Sequence, residues 1–312
     1  MTTRDRLPVP DVVLGFDDYD APAQRLATQL DVRYAKVAVH RFPDGESRVT
    51  VPVPLPARVA MCRSLDHPND KLVETILAAE AARQNGARSI SLVAPYLCYM
   101  RQDTAFNPGE AVSQRVVGEL LAGRFDAVVT VDPHLHRVAT LAEAVPAAIA
   151  VALSAAARFG TFIREREPDA LLVGPDEESA QWLAAAAGGH RFETAVGRKR
   201  RRGDREVSID LPDVPLAGRS VVLVDDMAST GMTLAVAARR CLEGGAATVD
   251  VLVVHGLFVG DAVADLRRAG VRNVWSTDSV VHPTNALSLA PLIAGAMLAG
   301  SDAGGLEARR DE

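Results

Sequence analysis

The stretch that most constrains this chain is Ser220 to Leu234, SVVLVDDMASTGMTL. Val221 to Val224 form a short apolar run of the kind buried on both faces of a parallel sheet. The strand is expected to stop at Asp225-Asp226, with Ser229-Thr230-Gly231 following at once. From Met232 an amphipathic helix pattern runs to about Cys241 and stops at Gly244-Gly245. Strand, two acids, hydroxylated turn with a glycine, and helix together make a phosphate cradle at the carboxyl end of a sheet. Loop N–H groups and the helix start hold the anion, and Ser229, Thr230 and Thr233 add hydroxyls. Carboxylates repel a phosphate, so the acid pair must serve a second purpose, holding sugar hydroxyls or a metal. The competing reading is a plain strand-to-helix turn whose acids cap the helix; capping needs one acid, not two plus hydroxyls.

Strand and helix patterns alternate on both sides of this stretch. Strands are expected at Arg48 to Val53, Val59 to Cys62, Ser89 to Ala94 and Ala127 to Val131, with helices from Asn69-Asp70 to about Asn85-Gly86 and from about Glu110 to Leu121. The second half repeats the order: strands at Ala170 to Val173, Phe192 to Val196, Thr248 to His255 and Asn273 to Thr277, and helices at Ser179 to Ala187 and Asp261 to Arg268. A basic loop is expected at Arg198 to Arg205. Such alternation predicts an α/β protein with parallel sheets flanked by helices, whose strand ends bind ligands. No strong sequence repeat links the halves, but their element order is alike, which makes duplicated domains the expectation. Boundaries are expected at 1–148, 149–300 and a flexible Gly-rich, charged tail at 301–312.

The 312 residues suffice for two cores, and 48% hydrophobic with 24% charged residues is ordinary for a globular enzyme. A net charge of −6 gives no general attraction to nucleic acid or anionic membrane, so anion binding must be local. No stretch reaches transmembrane length and the first residues lack an apolar leader core, so a cytoplasmic protein is expected. Cys62, Cys98 and Cys241 are far apart in apolar settings and read as buried thiols. Neither a Walker A sequence nor a dinucleotide GxGxxG is present.

The cradle resembles the phosphoribosyl-pyrophosphate (PRPP) loop of type I phosphoribosyltransferases and of ribose-phosphate pyrophosphokinases. Arg41-Phe-Pro-Asp-Gly-Glu46, Arg101-Gln-Asp103, Asp132-Pro-His134, Gly174-Pro-Asp176 and Lys199-Arg-Arg201 resemble motifs of the pyrophosphokinase family in that family's order. The resemblance spans about residues 36 to 285 and implies two type I phosphoribosyltransferase-like domains, each a mostly parallel sheet flanked by helices. It implies Mg²⁺-dependent pyrophosphoryl transfer from ATP to the C1 hydroxyl of ribose 5-phosphate, giving PRPP and AMP. Phe42, Asp44, Gly45, Glu46, Arg101 and Gln102 would hold ATP, the loop residues reaching across a subunit interface. Asp225, Asp226, Ser229, Thr230, Gly231, Met232, Thr233 and Arg201 would hold ribose 5-phosphate. His134 and Asp176 would bind Mg²⁺, and Lys199 and Arg201 would be catalytic. The resemblance further implies a homo-oligomer built from dimers, with tetramer or hexamer open. A phosphoribosyltransferase and a non-catalytic regulatory paralogue are the alternatives.

Three departures from the family pattern stand out. Asn107-Pro-Gly-Glu110 resembles archaeal-type members, which puts control by ADP and phosphate in doubt. Glu177-Glu178 follow Asp176 where small residues are usual, adding negative charge. Met232 replaces a glycine of the cradle, where a tight turn tolerates a side chain less freely.

Overall fold

The computed structural model describes residues 7–202, 206–210 and 214–299. Its contacts divide the chain into two compact units, 1–153 with 288–312, and 154–287.

The first unit runs β1 (Val12–Gly15), α1 (Asp20–Leu30), β2 (Arg33–Lys36), β3 (Ala38–Arg41), β4 (Ser47–Thr50), β5 (Arg58–Cys62), α2 (Pro68–Gln84), β6 (Ser89–Val93), α3 (Ser113–Ala122), β7 (Ala127–Val131), α4 (Leu141–Ala144) and β8 (Ile149–Leu153). Its six-stranded sheet has the order β2-β1-β5-β6-β7-β8, and every pairing is parallel. β7 is buried along its whole length and β5 and β6 along nearly all of theirs, which explains why aliphatic residues dominate them. β3 and β4 stand apart as an antiparallel hairpin whose last pair is Arg41 with Ser47.

The second unit runs α5 (Ala156–Arg164), β9 (Leu171–Gly174), α6 (Ala180–Ala187), β10 (Thr194–Val196), β11 (Arg198–Arg202), β12 (Glu206–Asp210), β13 (Ser220–Ala228), α7 (Met232–Glu243), β14 (Thr248–Gly256), α8 (Ala262–Arg268), β15 (Val274–Thr277) and β16 (Asn285–Leu287). Its sheet order is β10-β9-β13-β14-β15-β16, again parallel throughout. Numbered by appearance in its own sheet, each unit has the order 2-1-3-4-5-6, and each inserts an antiparallel hairpin between its second and third strands. The duplication expected from element order is therefore present down to that insertion. Each unit has its own apolar core, the first around Leu14, Met61, Ile90 and Leu121, the second around Leu223, Leu234, Cys241 and Val251.

Several boundaries differ from expectation. The division falls after Leu153, not after residue 148, because β8 completes the first sheet beside β7. The closing helix α9 (Ala290–Ala299) belongs to the first unit, not the second, because it packs on α1. Residues 198–202 form a strand rather than a loop, since the alternating segment Glu206–Asp210 pairs with them, Arg198 opposite Asp210 and Arg202 opposite Glu206. Ile209 anchors that hairpin in the second core. The tail expected at 301–312 lies outside the described residues. All three cysteines are buried free thiols, and burial pushes Cys98 and Cys241 up to about 12.

Candidate active site

In the second unit β13 does not stop at the acid pair. It continues through Asp225 and Asp226 to Ala228, where β14 supplies ladder partners as far as Gly256. The polar side chains thus sit on a rigid strand, not in a loop. Asp225 is half-buried, and burial, then the charges of Asp226 and Asp176, push its carboxyl well above the usual range. Its remaining solvent access moderates that shift without changing its direction. The Asp226 N–H donates to Asp225 Oδ1 at 3.0 Å. Asp176 follows the neighbouring strand β9, whose Gly174 is required because a Cβ there would meet the Ser179 hydroxyl at 2.0 Å. That hydroxyl donates to the Asp176 carbonyl at 2.5 Å.

The cradle turns at Gly231, with φ +71°, and α7 begins at Met232. No side chain among the described residues caps this helix, so the acids are not capping groups and its first N–H groups face outward from the turn. Met232 starts the helix outside the left-handed region, and glycine is needed only at Gly231. The strain expected at Met232 is therefore absent; its side chain is 54% exposed. Loop residues after β14 brace the turn: the Phe258 N–H donates to the Ala228 carbonyl at 3.0 Å and the Val259 N–H to the Ser229 carbonyl at 2.9 Å. Ser229 and Thr233 are partly exposed and Thr230 is exposed, leaving the hydroxyls accessible. Glu177 and Glu178 lie in a short 3₁₀ turn, with Glu177 3.7 Å from Arg198. Lys199 and Arg201 lie on β11, but their side chains fall outside the described residues.

In the first unit Phe42 to Glu46 form the tip of the β3–β4 hairpin, all exposed. Gly45 takes φ +94°, the Gly45 N–H donates to the Phe42 carbonyl at 3.0 Å, and Asp44 Oδ1 accepts the Glu46 N–H at 3.2 Å. The Phe42 ring, 38% exposed, meets His40 edge-on at 4.8 Å and has the Arg48 guanidinium over it at 5.9 Å from its centroid. Arg101 is exposed and hydrogen-bonds the Tyr96 hydroxyl, whose pKa burial raises. Gln102 is held by the Ser113 hydroxyl, which donates to its Oε1 at 2.6 Å. Glu110 precedes α3 instead of starting it, because its carboxylate organises the loop: it accepts from the Phe106 N–H at 2.9 Å and the Asn107 amide at 2.6 Å. Those bonds hold the Glu110 carboxyl below its ordinary range.

His134 follows β7 after Asp132, which takes φ +38°; its ring meets that of His136 edge-on at 4.2 Å. His136 is exposed. Two residues outside the expected set join these loops. Asp103, its carboxylate nearly fully buried, accepts the Arg137 N–H at 3.1 Å and pairs with the Arg137 guanidinium at 2.5 Å. The Arg101–Asp103 segment is thereby tied to the His134 loop within the first unit. Asp103 stands in a motif legible in the sequence, but no spacing announces a partner 34 positions away.

A family model for the N-terminal domain of ribose phosphate pyrophosphokinase matches residues 12–123. The chain is 37% identical over 290 residues to the ribose-phosphate pyrophosphokinase of Methanopyrus kandleri, covering 92% of this chain and 98% of that one. It is 34% identical over 289 residues to that of Halobacterium salinarum, covering 92% and 100%. The crystal structure of phosphoribosylpyrophosphate synthetase from Mycobacterium smegmatis is similar to it with a TM-score of 0.78 at 25% identity, over 93% of this chain and 98% of that chain.

Proposed function

The chain belongs to the ribose-phosphate pyrophosphokinase family, and from that premise we propose how its residues share the transfer of the pyrophosphoryl group of ATP to the C1 hydroxyl of ribose 5-phosphate, giving PRPP and AMP. The match runs through both units, which disfavours a single-domain phosphoribosyltransferase, and the relatives it covers are named as the enzyme rather than as a non-catalytic regulatory paralogue. Asn107-Pro-Gly-Glu110 and the archaeal relatives agree on an archaeal-type member.

One observation carries the residue assignment: an acid pair fixed on a strand beside an anion cradle formed by an uncapped helix start. The 5-phosphate sits on the N–H groups and hydroxyls of Ser229, Thr230, Gly231, Met232 and Thr233. Asp225 accepts hydrogen bonds from the ribose hydroxyls, with Asp226 as its neighbour. Phe42 stacks on adenine while Asp44, Gly45, Glu46, Arg101 and Gln102 hold the nucleotide. Lys199 and Arg201 neutralise charge building on the transferred group, with Arg201 also reaching the sugar phosphate. Positioning and charge neutralisation are the whole of what a protein contributes to phosphoryl transfer.

The carboxylates around Asp225 suit a hard cation, since a divalent ion would offset both the burial and the neighbouring charges of Asp226 and Asp176 that raise its pKa. We assign Asp176 and His134 as Mg²⁺ ligands, direct or through water. Mg²⁺ when bound supplies neutralisation of the phosphate oxygens. No helix among the described residues is long and apolar enough to cross a membrane; we place the enzyme in the cytoplasm, as a homo-oligomer. The test is AMP release from ATP and Mg²⁺ with and without ribose 5-phosphate. AMP forming only with the sugar, and falling about 10²–10³-fold in Lys199→Ala, is the expected result. Absence of sugar-dependent AMP would overturn the reading.

A further inference from the structure

Glu74, on α2, is 1% exposed and carries a carboxylate whose two oxygens face different partners. Oε2 accepts from Arg63 Nη2 at 2.6 Å, deep in the first unit. Oε1 accepts from Arg41 Nε at 3.0 Å and from the Ser47 hydroxyl at 3.2 Å. Arg41 and Ser47 are the last cross-strand pair of the β3–β4 hairpin, the two ends between which Phe42 to Glu46 are strung. Arg63 has a second carboxylate in Asp18, at 3.1 Å from Nε, and lies over the Phe16 ring. Neutralising Arg63 therefore does not by itself account for the orientation of Glu74. Burial disfavours its charge, yet the two guanidiniums hold its carboxyl below the ordinary value, so it is ionised at neutral pH. Both strands of an otherwise exposed arm are thus gripped at the neck by one charged oxygen.

We propose that Glu74 is a positioning residue for ATP: by clamping Arg41 and Ser47 it presets the Phe42–Glu46 loop in its nucleotide-binding shape. The proposal rests on the reading of that loop as the ATP loop. Without the clamp the neck keeps the Arg41–Asp70 pair at 3.4 Å and the packing of Val39 and Val49 on the first core, and binding must order the looser tip at a cost in affinity.

The test combines steady-state kinetics with amide hydrogen exchange. Glu74→Gln keeps the shape but loses the charge, and Arg41→Met removes the exposed half of the clamp should the buried substitution impair folding. In each variant the KM for ATP is expected to rise about tenfold, the equivalent of one charge-assisted hydrogen bond. The KM for ribose 5-phosphate should stay unchanged, and exchange should quicken at residues 42–46 ahead of β6 and β7. The double variant should be no worse for ATP than Glu74→Gln alone, since both act on one clamp. Unchanged ATP KM and unchanged loop exchange in both variants would overturn the proposal. So would a parallel rise in both KM values with exchange faster throughout the sheet, the mark of a merely structural role. Phe42→Ala separates the underlying reading: if it leaves the ATP KM unchanged, the loop's nucleotide role fails, and loop exchange in Glu74→Gln still decides whether the clamp exists.

Discussion

β5 and β13 occupy the same place in their sheets, third in order, and each leads to a helix entered through a residue in the left-handed region, His67 at φ +47° and Gly231 at φ +71°. Neither helix has a side-chain cap. Their electrostatics are opposite. Beyond β5 the chain places two cations, Arg63 and Lys71, and closes them with its own acids. Arg63 pairs with Glu74 and Asp18; Lys71 sits 2.7 Å from Asp66 and 3.1 Å from Asp18, and donates to the Ser64 carbonyl at 3.1 Å. Pro68 removes one N–H from the helix start. At the end of β13 no cation among the described residues closes the acids in the same way: burial, then the charges of Asp226 and Asp176, push Asp225 up in pKa. One backbone plan has thus produced a filled end that stabilises a fold and a charged end that suits a ligand.

The sharpest way to break this contrast is Asp225→Asn. Activity should fall about 10²–10³-fold, in the range of other lost charge-stabilising groups. The ligand-free protein should melt higher than wild type, because a like charge has been removed. The sign follows from the raised pKa. Between the ordinary carboxylate value and the raised one, the folded state binds more protons than the unfolded state, so wild-type stability falls as pH rises through that window. Asp225→Asn should flatten that slope in thermal melts across pH. A variant that melts lower at every pH would mean the acid pair is structural, like the acids beyond β5.

Gly231→Ala tests the turn. A Cβ there would meet nothing closer than 3.5 Å, so the cost is the left-handed backbone alone, about 1–2 kcal/mol. If that cost falls on the anion cradle, the KM for ribose 5-phosphate rises about tenfold; an unchanged KM would detach the turn from phosphate binding. Lys71→Met tests the other end. It leaves Asp66 without its cation and Asp18 with Arg63 alone, and should lower stability by about 1–2 kcal/mol, discounted because Asp18 is a third exposed. The KM for ribose 5-phosphate should not move; a large rise would show that the end of β5 takes part in sugar binding. The smallest effect belongs to Met232→Gly, about 0.5–1 kcal/mol of stability and a KM within about twofold, because Met232 is already ordinary helix. A greater gain in affinity would restore a role for glycine at that position.

Much of this was readable from residue order. Val221 to Val224 announce a buried parallel strand by an unbroken apolar run, Ala127 to Val131 and Ser89 to Val93 by runs rich in aliphatic residues with small hydroxylated ones between, and Gly244-Gly245 marks a helix end. The proposed cradle residues are contiguous, so local pattern alone could single them out. Local pattern did not show that β13 runs on through Asp225 and Asp226, because the strand there is held by its ladder with β14, whose partners lie 28 positions away. Nor did it show the β11–β12 hairpin, where a basic run reads as solvated loop until its partner strand is known.

The sequence by itself determined the fold class and the doubled element order, and it marked the residues proposed as the cradle, because these depend on short-range periodicity and on which side chains stand next to one another in the chain. Tertiary structure alone decided that α9 returns to the first unit, that Asp103 meets Arg137, and that Glu74 grips the hairpin neck from 27 and 33 positions away. Those pairings are set by where buried charges find partners in a packed interior, and a desolvated carboxylate takes whichever cation the fold brings to it.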